Sequence, residues 1–135
     1  MISYVPVQIT KNIDIKNHRL INPIENNMEV KENKKGSFLV LDLTGRLDTS
    51  NYRNLEEILL ALINRGEKDI VINCSDMNYI SSSGLRVFLM ALKKITVVGG
   101  KFYLCNLQEN IREIFDIAGF TSLFKIFNSL EEATS

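Results

Sequence analysis

Between Asp69 and Leu92 the hydrophobic pattern changes period, and that change limits the folds open to the chain. Ile70, Val71 and Ile72 form the β-branched run of a buried strand. A polar turn follows, then Ile80, the serines Ser81, Ser82 and Ser83, and Gly84. From Leu85 the apolar residues fall at helical spacing (Leu85, Leu89, Leu92), which predicts a helix that starts among the serines and runs to about Ile95. A strand that feeds a helix in this way returns to its sheet by a right-handed crossover.

The same unit recurs along the chain. Met28–Glu32 alternates, Asn33–Gly36 is turn chemistry, and Phe38–Leu43 is strongly apolar, so the two pieces read as a hairpin with a four-residue loop. Gly45 is expected to end the second strand. The segment Asp48-Thr49-Ser50-Asn51 offers N-caps to a helix carrying Tyr52, Leu55, Ile58, Leu59, Leu62 and Ile63, which Gly66 stops. The serine-bearing unit comes next, from a strand at 69–74. Then follow a strand at 101–105, a helix over 107–118 with Leu107, Ile111, Ile114, Phe115 and Ala118 on one face, a short strand at 124–126 and a terminal turn at 130–133. The order β-β-α-β-α-β-α-β-α predicts an α/β domain over 28–135 with a mostly parallel sheet.

Residues 1–27 stand apart as a partly ordered extension that holds both prolines, Pro6 and Pro23. Ile2–Ile9 is a candidate edge strand, where a proline is tolerated. Its apolar residues Ile2, Val5, Val7 and Ile9 are alternatively a cover for an open face, or a homodimer contact.

Composition narrows the function classes. Lys plus Arg and Asp plus Glu number 16 each, so a general nucleic-acid or membrane-surface binder, which favours a basic excess, is not indicated. Two cysteines, Cys74 and Cys105, with one histidine do not make an ordinary zinc site, and neither a metal nor another cofactor is expected. Both read as small buried thiols, in keeping with a cytoplasmic, unanchored protein without a signal peptide.

Catalytic constellations are poorly matched. His18 lies in the extension, far in sequence from the serines, and no G-x-S-x-G elbow is present. Gly99-Gly100-Lys101 opens a strand where a phosphate loop would open a helix. Asp48 and Asp76 are a conceivable carboxylate pair, against the simpler roles of helix cap and turn residue. The serines have two roles open to them: capping the helix, or presenting a hydroxyl whose phosphate a helix N-terminus tolerates.

At Gly45-Arg-Leu-Asp48, at Asp69–Leu85 and at Ser129-Leu-Glu-Glu-Ala133 the chain resembles STAS domains, and more narrowly bacterial anti-sigma factor antagonists, over about residues 28–134. The family loop is roughly apolar-Asp-Ser-(Ser/Thr/Ala)-Gly-Leu, and Ile80-Ser81-Ser82-Ser83-Gly84-Leu85 matches it. The resemblance implies a STAS-type βα superhelix with helices mainly on one side of the sheet. It implies no catalysis by the chain itself, but a partner switch that binds a serine-kinase anti-sigma factor and lets go when that kinase phosphorylates it. The phosphoacceptor would be Ser82, with Ser81 and Ser83 as competitors. Asp48, Thr49, Ser81, Ser83, Gly84 and Arg86 would form the partner-binding surface, and a phosphatase is a further candidate partner.

Ser81 and Asn73 stand where the family often has Asp, and Arg86 where it commonly has a small residue. An interaction module that is never phosphorylated, scaffolding a regulatory or transport complex, is the alternative function; a small serine hydrolase is a third.

Overall fold

The computed structural model describes residues 28–135, together with the backbone of Ile2–Val5, Ile13–Asp14 and Arg19–Leu20. Pro6, Val7, Ile9, His18 and Pro23, and the side chains of Ile2 and Val5, lie outside the described residues. A six-stranded sheet runs β1-β4-β5-β6-β7-β8, from β1 (Ile2–Val5), β4 (Met28–Lys35), β5 (Phe38–Leu47), β6 (Asp69–Ile80), β7 (Lys101–Cys105) and β8 (Lys125–Phe127). The short strands β2 (Ile13–Asp14) and β3 (Arg19–Leu20) pair with each other in a separate two-stranded sheet. β1 and β4, and β4 and β5, pair antiparallel, and the remaining neighbours in the large sheet are parallel. Among the described residues four helices alternate with the later strands: α1 (Tyr52–Asn64), α2 (Ser82–Val97), α3 (Glu109–Ile117) and α4 (Leu130–Thr134). From Met28 onward this is the order expected from the periodicity.

Period-two alternation in the central strands divides the interior. On one face Leu39, Leu41, Ile70, Ile72, Phe102 and Leu104 meet the helix residues Leu55, Leu59, Phe88, Ala91, Ile111 and Phe115. Each fully buried large side chain there contributes about 1.5–3 kcal/mol. On the other face Phe38, Val71 and Cys105 lie under Ala133 and Leu130 of α4. Among the described residues, three helices thus cover one side and the short α4 packs on the other.

Several boundaries differ from expectation. The hairpin loop is two residues, Gly36-Ser37, because Lys35 pairs with Phe38; Gly36 at φ +62° takes the first central position of a tight turn. Gly45 does not end β5. It sits inside the strand at φ +99°, next to a register shift between Gly45 and Arg46, a conformation open to Gly at a bulge. Strand β6 likewise runs to Ile80, so Asp76 is a strand residue paired with Thr44. Burial is nearly continuous from Ile70 to Cys74 and then falls only at Met77 and Ile80, three residues apart; that spacing masks the end of the strand in sequence. Ala118 faces solvent, because α3 already stops at Ile117 and Gly119 turns the chain. The last strand begins at Lys125, leaving Phe124 to pack against Phe102, Phe115 and Phe120.

Candidate functional site

Parallel pairing of β5 and β6 carries both chains to the same edge of the sheet. Leu47 registers with Ile80, and the Ser81 amide donates to the Leu47 carbonyl at 2.9 Å. The segment that follows β5, with Asp48, Thr49 and Ser50, is therefore fixed beside the first turn of α2.

Each serine has a distinct position. Ser81 is the N-cap of α2, extended at φ −91°, ψ 172°, and its Oγ accepts from the Gly84 amide at 3.2 Å. Ser82 is the first helical residue and is exposed, whereas Ser81 and Ser83 are half-buried. The capping role therefore falls on Ser81. Gly84 is buried where the helix meets the strand ends: a Cβ there would lie 2.8 Å from Leu47 Cγ and 2.9 Å from Ile80 Cγ1. Only a residue without a side chain lets α2 enter this close.

Asp48 does not cap α1. Its Oδ1 accepts from the Ser50 amide at 3.0 Å and from Ser50 Oγ at 2.6 Å, forming a local turn. The N-cap position belongs to Asn51, whose side chain is turned to the preceding segment. It donates to the Arg46 carbonyl at 2.8 Å and accepts from the Asp48 amide at 2.9 Å, and Asn51 is buried. Buried polar groups need such partners. The preference of Asn for helix starts was visible in sequence; its use as a stitch was not.

Arg46 and Tyr79 add a feature that sequence reasoning missed. They face each other across β5 and β6, with the guanidinium 4.2 Å from the ring centroid and Nε 3.5 Å from Asp48 Oδ2. Thr49 and Arg86 are exposed, the latter on the outer face of α2.

The possible Asp48–Asp76 pair does not form a unit at this edge. Asp76 registers with Thr44, well before Asp48, and lines a groove of about 320 Å³ with Asp42 and Asn73. There Asp42 Oδ2 accepts from Asn33 at 3.0 Å and Oδ1 from Asn73 at 2.8 Å. Among the described residues no group of three or more His, Cys, Asp or Glu could hold a metal ion, and no helix is long and apolar enough to cross a membrane. Both thiols are buried and free; burial pushes Cys74 up and Cys105 up to about 11.

Comparison with known proteins agrees with this architecture. Residues 27–133 match the model of the STAS domain. A Bordetella bronchiseptica protein, BtrV, named as a candidate anti-sigma factor antagonist, is 37% identical over 108 residues, 80% of this chain and 93% of that one. The anti-sigma-B factor antagonist of Staphylococcus aureus is 26% identical over 105 residues, covering 78% and 97%. Among solved structures, a candidate anti-sigma factor antagonist from Thermotoga maritima superposes with a TM-score of 0.73 at 23% identity, over 76% of this chain and 88% of that one. The phosphorylated form of the Bacillus protein SpoIIAA gives 0.63 at 22% identity, over 78% and 95%. The last two likenesses are of fold.

Proposed function

The chain belongs to the STAS domain family, and from that premise we propose that it is an anti-sigma factor antagonist, a cytoplasmic protein that binds an anti-sigma factor and is switched by phosphorylation of Ser82. The observation that carries the switch is the division of labour among the serines. Ser81 is occupied as the cap, Ser83 is half-buried, and Ser82 stands exposed on the first turn of α2. A kinase can reach that hydroxyl without unwinding the helix. The added charge of about −1.5 to −2 is tolerated by the helix terminus, while a partner docked on the same surface meets bulk and a buried anion.

Asp48, Thr49, Ser81, Ser83, Gly84 and Arg86 form or support that surface. The partner is an anti-sigma factor with serine kinase activity, and a phosphatase would restore the binding form. The chain is then the kinase's substrate and not itself an enzyme. The names of its relatives support the antagonist assignment.

Co-purification from the native host with phosphosite mapping tests both halves. The expected result is an anti-sigma factor captured by wild type and by Ser82→Ala but lost in Ser82→Asp, with phosphate mapped to Ser82. Equal capture by Ser82→Asp and wild type would overturn the switch. No phosphate on Ser81, Ser82 or Ser83 under any growth condition would favour the constitutive interaction module.

A further inference from the structure

We propose that Arg86 is a built-in receptor for phosphate on Ser82, holding it one helical turn along α2. Its biological use rests on Ser82 being the phosphoacceptor. Four residues apart on one helix, the two side chains are neighbours on the same face, and both residues are exposed. The order is the favourable one, with the anion N-terminal to the cation.

Arg86 is also available. Among the described residues it makes no ion pair, whereas Arg46 engages Asp48 and Arg65 engages Glu32 and Glu67. No acidic residue occupies the first turn of α2. The groove of about 480 Å³ that Arg86 borders is otherwise lined by Leu89, Met90, Lys93 and Lys94, so no carboxylate there competes for the guanidinium. The carboxylate of Asp48, in the segment after the neighbouring strand, is engaged by Arg46 and Ser50. A phosphate dianion matches the planar fork of an Arg in bidentate fashion. Phosphorylation then does two things together: it places an anion on the docking surface and withdraws a cation from it.

The test uses full-length protein with phosphoserine installed at position 82 during translation, so no kinase is required. The second ionisation of the phosphate is followed by phosphorus NMR in wild type, Arg86→Gln and Arg86→Lys. Wild type is expected to ionise about 0.15–0.4 pH units lower than Arg86→Gln at low salt. Arg86→Lys should fall between them, and the difference should shrink in 1 M salt, where the Debye length is about 3 Å. Circular dichroism and the melting curve check that each variant is folded. Superimposable titrations of wild type and Arg86→Gln would overturn the pairing and leave the proposed switch intact. Absence of phosphate at Ser82 in the host would overturn the switch and leave the pairing standing.

Discussion

The Ser81 amide and the Leu47 carbonyl are joined at 2.9 Å, so the serine-bearing loop hangs from the end of the neighbouring strand as well as from its own helix. That attachment sets the relative positions of Asp48 and Ser82 before any partner arrives.

Gly84→Ala should break this arrangement. Alanine favours a helix interior by about 1 kcal/mol over glycine, but its Cβ would meet Leu47 and Ile80 below 3 Å, and both are buried. Overpacking of this kind costs about 1–3 kcal/mol, so the net change is expected to be destabilising. Urea denaturation measures it.

Ser81→Ala removes the acceptor of the Gly84 amide and should cost about 1 kcal/mol. Ser81→Asp keeps a cap and adds a charge that suits a helix start, so it should match or exceed wild type in thermal melting. Melting of Ser81→Ala indistinguishable from wild type would show that the Ser81 hydroxyl does not act as the cap.

Asn73→Ala should destabilise by about 1–2 kcal/mol. It removes the 2.8 Å bond to Asp42 and the acceptor used by the Asn106 side chain at 3.0 Å. Chemical denaturation of the variant measures the loss.

The thiols set an alkaline limit. Burial is the main cause that holds Cys105 at about 11 against an ordinary value near 9, and it raises Cys74 as well. Both stay protonated in the fold while an unfolded chain ionises first. Their contribution is therefore intact below pH 9 and declines as pH rises from 9 towards 11, by at most about 1.4 kcal/mol per pH unit for each thiol. Unfolding free energies at pH 8 and about pH 10 should differ less in Cys105→Ala than in wild type. Neither thiol should react with an aromatic disulfide until the protein unfolds.

The periodic parts of the chain were legible because burial repeats there. Leu55, Leu59 and Leu62 on α1, and Leu85, Phe88, Ala91 and Ile95 on α2, report helices directly. The strand ends were not legible, since the bulges at Asp42/Thr44 and Gly45/Arg46 break alternation where a periodicity argument looks for it. The serine loop was conspicuous, but which hydroxyl caps and which is exposed depends on the helix phase by a single residue. Arg46 and Tyr79 are 33 positions apart and meet only through parallel register. No local pattern encodes such a contact.

Those bulges also govern how the chain tolerates changes of length. From Asp42 to Leu47 β5 advances five residues while β6 advances seven, from Asn73 to Ile80, so the longer strand carries two in surplus. One surplus residue would exchange the sides of the sheet, and the second restores them, returning Ile80 to the interior and Ser82 to solvent. Deleting a single residue between Ser75 and Tyr79 therefore forces a choice between a buried serine and an exposed isoleucine, so length here should vary by pairs and not by ones.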